Sequence, residues 1–303
     1  MRDRLISTLI ALVAIFAFCA PLNAKPLNLI ADTAPVNALL AAIVKGVQTS
    51  DPLIPVRQSV HDFALKPSDI RQLQSADLIV WLGPQASPAL AKLMLDADFS
   101  GKALDLAKVL GINRIGLRKS GVFDDRPTRP ALDPHMWLSP ENAELWASAM
   151  QDVLVEQDPE NAEIYRANTV RLLDEINAAR TKVKALLAQA PVLPYVQFHD
   201  AYQYFEASFN LSPIGAATAE DEESTSLGIL TDLRQELAKA GPACVFARDA
   251  QQAARALPLI EGTGAHPGRL DPLGRDLAPE TYTYPNLLLS VAQGYADCFA
   301  TKP

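Results

Sequence analysis

The chain has 303 residues, of which 49% are hydrophobic and 20% are charged, so it can form a globular core and lacks the composition of a disordered protein. The formal net charge is −8, from 27 Lys and Arg against 35 Asp and Glu, which argues against a nucleic-acid-binding protein with a basic face. With 14 glycines, collagen-like and glycine-rich classes are also excluded. At about 150 residues per domain, the length predicts two domains.

The N-terminus has the pattern of a secretory signal peptide. Arg2 and Arg4 precede an uncharged apolar stretch over residues 5–21, and Ala24 offers a small residue at the cleavage site. The stretch is shorter than the ~20 residues that a membrane span requires. We therefore predict that residues 1–24 are removed and that the mature chain is exported.

Short apolar runs alternate with helical patterns in the first half of the mature chain. Strands are predicted at 27–31, 53–56 and 78–82, and helices at 35–45 and 67–76. Ser139 followed by Pro140 predicts the start of a further helix. This alternation is typical of a mostly parallel sheet covered by helices.

One long helix is predicted in the middle of the chain. Asp158 and Pro159 form a helix-start signal, and packing residues recur at three- and four-residue spacing with no Gly or Pro before Pro191. A helix over 159–190 would have 32 residues and be roughly 48 Å long at ~1.5 Å per residue. A single helix of that length crosses a whole domain.

After Pro191 the alternation of strands and helices resumes. Strands are predicted at 195–198 and 244–247, and helices at 200–208 and 225–240. The predicted fold class is therefore α/β, with two α/β domains of mostly parallel sheet joined by one long, rigid linking helix. The predicted boundaries are 25–157 for the N-terminal domain, 158–190 for the linking helix and 191–303 for the C-terminal domain.

Loss of the signal peptide removes Cys19 and leaves two cysteines, Cys244 and Cys298. An even pair in an exported chain predicts a disulfide, which would join the last helix to the C-terminal sheet. The alternative is two separate buried thiols.

Three of the four histidines lie where predicted strands end or helices begin. His61 follows the second strand, His135 precedes the helix that Ser139 caps, and His199 ends a strand. Asp271 lies in a polar loop of the last third. These four residues are 74, 64 and 72 positions apart, so they form no zinc finger, and a metal site would have to form between the domains.

Five stretches of the sequence resemble the periplasmic zinc-binding proteins of ABC importers, the ZnuA-type or cluster 9 family. The matching stretches cover residues 61–69, 76–84, 133–140, 198–205 and 270–274. The resemblance extends over essentially the whole mature chain. It implies two similar α/β domains on a rigid linking helix, with the metal in the cleft between them.

The resemblance also implies the ligands, the partners and the compartment. His61, His135 and His199 match the three histidine ligands of the family, and Asp271 matches its aspartate position. The cysteine pair resembles the family's disulfide. The implied partners are a zinc ion, the membrane permease of an ABC importer and, as a further candidate, a periplasmic zinc chaperone. The protein would be a periplasmic monomer that binds no nucleic acid.

Two departures from the family concern the surroundings of the site. Many zinc-specific members have a histidine-rich loop before the Asp-Pro-His motif, but residues 116–132 contain no histidine. Some members have an acidic residue before the first ligand, where this chain has Val60, so Asp271 is the preferred fourth ligand. His266 matches no ligand of the family and is a weaker candidate.

Three imidazoles and one carboxylate favour tetrahedral Zn²⁺ as the bound ion. The related manganese importers have a carboxylate where this chain has His199, which makes manganese a second choice, together with an adhesin-type member of the family. A zinc hydrolase with a three-histidine site is the competing class. No H-E-x-x-H helix and no nucleophile elbow accompany the histidines, and Asp271 would close the position that a catalytic water needs. We therefore predict a carrier without enzymatic activity.

Overall fold

Two β-sheets organise the part of the chain that the computed structural model describes, residues 26–60, 63–123, 131–189, 191–219 and 224–301. The first sheet is wholly parallel, in the order β2-β1-β3-β4. Its strands are β1 (Leu29–Ala31), β2 (Asp51–Pro52), β3 (Leu78–Trp81) and β4 (Ala103–Asp105). The accompanying helices are α1 (Ala34–Ile43), α2 (Pro67–Ser75), α3 (Pro88–Ala91) and α4 (Ala97–Ser100). Strands β1 and β3 are buried along their whole length, as expected where helices cover both faces of a parallel sheet.

The second predicted strand is placed differently from the prediction. We expected 53–56, whereas the pairing with β1 covers Asp51 and Pro52. The amides of Leu53 and Ile54 still donate to β1 and to the residue after it, but Pro55 has no amide hydrogen to continue the ladder.

Two helices connect the halves of the chain: α5 (Pro140–Gln157) and α6 (Ala162–Leu187). Helix α5 begins as predicted, because Ser139 Oγ accepts a hydrogen bond from the Asn142 amide at 3.1 Å. The prediction for the linking helix was too long: α6 has 26 residues, and a 3-10 turn over 159–161 precedes it. The reason is that Asp158 accepts hydrogen bonds from the side chains of Asn161 and Tyr165 rather than capping the backbone.

The second sheet is parallel except for one edge strand, in the order β5-β7-β6-β8-β9. Its strands are β5 (Gly121–Val122), β6 (Tyr195–His199), β7 (Gly215–Thr218), β8 (Ala243–Ala247) and β9 (Ala265–Arg269). The remaining helices are α7 (Gln203–Phe209), α8 (Leu227–Ala240), α9 (Ala250–Ile260) and α10 (Tyr284–Phe299). The antiparallel strand β5 comes from the first half of the chain, so the segment around residue 121 crosses to the second sheet. The predicted domain boundaries themselves stay a prediction.

Helix α6 packs against α1 and α5 from the first half of the chain and against α10 from the second, so it contacts both halves of the molecule. The predicted disulfide is confirmed: Cys244 of β8 is bonded to Cys298 of α10, 54 positions further along the chain. Two buried clusters surround the sheets, a large one that continues through α5, α6 and α10 and a smaller one under α8 and α9. Within the described residues, no helix is both long and apolar enough to span a membrane.

Candidate metal site

Asp133 holds His135 in a fixed orientation. The Asp133 carboxylate accepts a hydrogen bond from the backbone amide of His135 at 2.8 Å, and the same oxygen lies 2.9 Å from His135 Nδ1. The other oxygen accepts from Gln203 Nε2 at 2.8 Å. Burial acts to raise the pKa of Asp133, but the hydrogen bonds from His135 outweigh it and lower this pKa. An ionised carboxylate at Nδ1 favours the tautomer with its proton there, which leaves the Nε2 lone pair for a metal.

His199 is the last residue of β6 and pairs in register with Thr218 of β7. As predicted, it lies at the carboxyl end of a strand. Its Nε2 is 3.1 Å from Nε2 of His135, and the two rings meet at 68°. Both side chains are buried, at 2% and 5% exposure. Two histidines 64 positions apart in the chain therefore point the same ring nitrogen at one place.

This separation is close to what a shared zinc ion requires. Two nitrogens at ~2.0–2.1 Å from one tetrahedral zinc are roughly 3.3 Å apart. The observed 3.1 Å lies within a few tenths of an ångström of that value. A metal between the nitrogens would be bound by both lone pairs at once.

The loop that carries Asp271 is tied to both histidine-bearing segments. Trp137, two residues after His135, donates from Nε1 to the carbonyl of Pro272 at 2.7 Å. Tyr202, three residues after His199, donates from its hydroxyl to the carbonyl of Leu270 at 2.6 Å. These two hydrogen bonds hold Asp271 between segments from opposite halves of the molecule.

The Asp271 carboxylate accepts the amide of Leu273 at 3.0 Å and the amide of Arg275. Burial raises its pKa, and the two amides partly offset this effect. Each oxygen keeps a further lone pair for a metal.

The structure brings together two of the four predicted ligands, His135 and His199. His61 lies outside the described residues. Across the described ranges, no group of three or more His, Cys, Asp or Glu side chains is arranged to hold a metal ion. The four-residue ligand set therefore stays a prediction. His266 lies near the start of β9, where it pairs with Cys244 of β8. The Asp271 loop follows the other end of that strand.

A buried charge cluster includes Asp200, the residue that follows His199. Arg118 donates from Nε to one oxygen of Asp200 at 2.9 Å and from Nη2 to the other oxygen and to Glu206. Burial raises the pKa of Asp200, which Arg118 partly offsets, and burial raises the pKa of Glu206 to about 7. Two buried carboxylates thus share one guanidinium next to the candidate site.

Sequence reasoning assigned no role to the residues that position the histidines. Asp133 stands two residues before His135 in the Asp-Pro-His motif, and this spacing is the signal that would have identified it. Trp137, Tyr202 and Arg118 act on residues 68 to 135 positions away, so no local pattern marks them.

Two α/β halves on a linking helix, with convergent imidazoles between them, define a two-domain solute-binding protein. The family model for the periplasmic zinc-uptake complex component A, ZnuA, matches residues 29–298. The chain therefore belongs to the ZnuA family.

Curated relatives and solved structures agree with this assignment. The chain is 30% identical to the high-affinity zinc uptake system protein ZnuA of Yersinia pestis, over 92% of this chain and 93% of that protein. It is 27% identical to the protein of the same name from Paracoccus denitrificans, over 96% and 98% of the two chains. A crystal structure of ZnuA superposes with a TM-score of 0.72 at 24% identity, covering 90% of this chain and 99% of that chain. The periplasmic zinc-binding protein TroA from Treponema pallidum gives 0.77 at 14% identity, covering 92% and 100%. At these identities the two structures support the fold.

Proposed function

We propose that the chain is a periplasmic zinc-binding protein that captures Zn²⁺ and delivers it to the permease of an ABC importer. The observation that carries the proposal is the 3.1 Å approach of His135 Nε2 to His199 Nε2 between the two halves of the molecule. The names of the curated relatives, high-affinity zinc uptake system proteins, support the same cargo.

Zinc is the preferred cargo because the donors of the site are nitrogens. Neutral imidazole suits Zn²⁺, whereas Mn²⁺ prefers carboxylate and carbonyl oxygens. Asp133 increases the basicity of His135 in the way that carboxylate partners of zinc-bound histidines do. We propose His61, His135, His199 and Asp271 as the ligand set, with Asp271 closing the tetrahedron.

A site closed by a fourth protein ligand holds its ion, whereas a catalytic zinc keeps a position for water. Both histidines are almost fully buried, which suits retention of an ion rather than binding of a larger substrate. We therefore propose a carrier and not a hydrolase. The signal-peptide pattern of residues 1–24 supports export to the periplasm, where the proposed partners are the permease and a zinc chaperone.

Protein purified from the periplasm should carry one zinc per chain in native mass spectrometry and elemental analysis, with the signal peptide absent. Titration of the metal-free protein should show one tight zinc site and no esterase, phosphatase or peptidase activity in the loaded form. The variant His266→Ala is a matched control, because it removes a histidine outside the site and should leave zinc binding unchanged. Protein without zinc affinity, or with zinc-dependent hydrolysis, would overturn the proposal.

A further inference from the structure

Residues 115–123, which we call the strap, run from the first half of the chain onto the second domain. The amide of Ile115 donates to the hydroxyl of Tyr204 at 3.0 Å, and the carbonyl of Gly116 accepts from Gln203 Nε2 at 3.1 Å. Strand β5 then pairs with β7, and the amide of Phe123 continues this pairing at 2.8 Å from the carbonyl of Ile214. The strap is therefore docked along its length on the second domain, and its strand β5 pairs with β7, the neighbour of the strand that ends at His199.

The strap brings Arg118 to two buried carboxylates, Asp200 and Glu206, which are 0% and 2% exposed. The guanidinium makes a two-pronged pair with Asp200 and also donates to Glu206 Oε2 at 2.8 Å. The other oxygen of Glu206 accepts from Tyr195 and Gln197. Every oxygen of the two carboxylates is thus bound by a donor.

These carboxylates lie close to the candidate metal site. Asp200 follows His199 directly in the chain, immediately after the end of β6. An ionised carboxylate at this position, if released, is a hard oxygen ligand within one residue of a proposed zinc ligand. Extra oxygen ligands favour Mn²⁺ and other hard cations over Zn²⁺.

We propose that Arg118 determines metal specificity by holding the carboxylates of Asp200 and Glu206 away from the ion bound at His199. Among the described residues, Arg118 forms hydrogen bonds with Asp200 and Glu206 and with none of His135, His199 and Asp271, so it acts through Asp200 as a positioning residue that keeps the site rich in nitrogen. This inference rests on the proposed function and deepens it. It assigns a role to the strap, which the proposed function leaves without one.

The test compares zinc and manganese affinities of the metal-free wild type and of the variant Arg118→Met by competition titration. The ratio of zinc to manganese affinity should fall by at least about tenfold in the variant, in the range that loss of an outer partner costs a metal site. The absorption of bound Co²⁺ should shift from the intense tetrahedral spectrum to a weaker spectrum of higher coordination. A purely structural role for Arg118 would weaken both metals together and leave the spectrum of the bound fraction unchanged.

The double variant Arg118→Met/Asp200→Asn should regain much of the selectivity, because the released oxygen ligand is replaced by a neutral amide. Arg180→Met is the matched control: Arg180 pairs with Glu144 at 2.6 Å between α5 and α6, apart from the histidine-bearing segments, and its loss should leave the ratio unchanged.

Arg118→Lys covers the case in which Arg118→Met does not fold, as judged by circular dichroism. A lysine keeps the charge but cannot make the two-pronged pair, so a smaller shift in the same direction is expected. An unchanged affinity ratio in the folded Arg118 variants would overturn the inference while leaving the proposed function intact. A wild type that binds no zinc would instead contradict the proposed function.

Discussion

The two domains hold their histidines by different means. His135 lies in a loop, and a single residue two positions earlier, Asp133, fixes both its backbone amide and its ring. His199 ends a buried strand, where pairing with Thr218 sets its position. The next residue, Asp200, is paired with Arg118 from a distant segment of the chain. One ligand is oriented locally and the other by the tertiary fold.

The two domains also bury acidic groups differently. In the first domain, Asp32 is fully buried and accepts hydrogen bonds from the amide of Leu82 at 2.8 Å and the hydroxyl of Ser87 at 2.7 Å. In the second domain, Asp200 and Glu206 are compensated by the guanidinium of Arg118. Asp32 is therefore compensated within its own domain, whereas Asp200 and Glu206 depend on a segment that crosses between the domains.

The largest effect is expected from removing either histidine. His135→Ala and His199→Ala should each weaken zinc binding by roughly 100-fold or more, since each loses one of few strong ligands. Asp271→Ala should weaken binding less, because water can take the fourth position. Calorimetric titration with zinc measures all three. Equal affinity of wild type and either histidine variant would contradict the shared site.

The disulfide should stabilise the folded protein, because it joins α10 to the second sheet. Reduction, or the paired variant Cys244→Ser/Cys298→Ser, removes a bond across 54 positions, worth about 4 kcal/mol in the chain-entropy model. Thermal unfolding should therefore occur at lower temperature, while zinc affinity of the folded protein stays unchanged. Ser208→Ala, which removes a hydrogen bond to Glu141 elsewhere in the molecule, provides a mild control. A melting temperature unaffected by reduction would count against this role.

Asp32 should make stability depend on pH. Burial raises its pKa to about 6 in spite of the hydrogen bonds from Leu82 and Ser87. The folded state therefore binds this proton more tightly than the unfolded state, and stability should fall as pH rises from about 4 to about 6. The shift corresponds to a contribution on the order of 3 kcal/mol.

The measurement is the free energy of unfolding of wild type and Asp32→Asn without metal, at pH 4.5 and pH 7.5. Between the two pH values the variant should gain about 2 kcal/mol of stability relative to wild type, because pH 4.5 already lies above the ordinary pKa of an aspartate. Asp174→Asn removes an exposed carboxylate of α6 and is the matched control. A stability difference for Asp32→Asn that does not change with pH would show that Asp32 is not the source.

The smallest of these effects concerns the local anchor of His135. Asp133→Asn should lower zinc affinity by about 10- to 100-fold, because a neutral partner makes the imidazole less basic and its tautomer less fixed. Asp158→Asn, at the start of the linking helix, removes a buried carboxylate away from the site and should not change zinc affinity. If Asp133→Asn binds zinc like wild type, the orientation of His135 comes from elsewhere in the loop.

Features that depend on neighbouring residues could be predicted from the sequence, whereas features that depend on long-range contacts could not. The start of α5 and the strand that ends at His199 follow from neighbouring residues, so both predictions are confirmed. The linking helix was predicted too long because Asp158 binds the hydroxyl of Tyr165, a contact that a cap pattern does not reveal. The strand β5 has two residues and pairs with β7 more than 90 positions later, which no periodicity can indicate.

The candidate site follows the same rule. Motifs identify the candidate ligands because the chemistry resides in single residues with short flanking patterns. The ion pair of Arg118 with Asp200 spans 82 positions, and its partners become neighbours only when the strap docks on the second domain. Side chains that orient the ligands from a distance therefore escape sequence reasoning.

X-ray absorption at the zinc edge, combined with an anomalous diffraction map of the zinc-loaded protein, tests the shared site most directly. We predict one zinc between His135 Nε2 and His199 Nε2, with both nitrogens at ~2.0–2.1 Å and an oxygen of Asp271 completing the coordination. A zinc bound by only one of these two histidines, or located elsewhere on the molecule, would contradict the account.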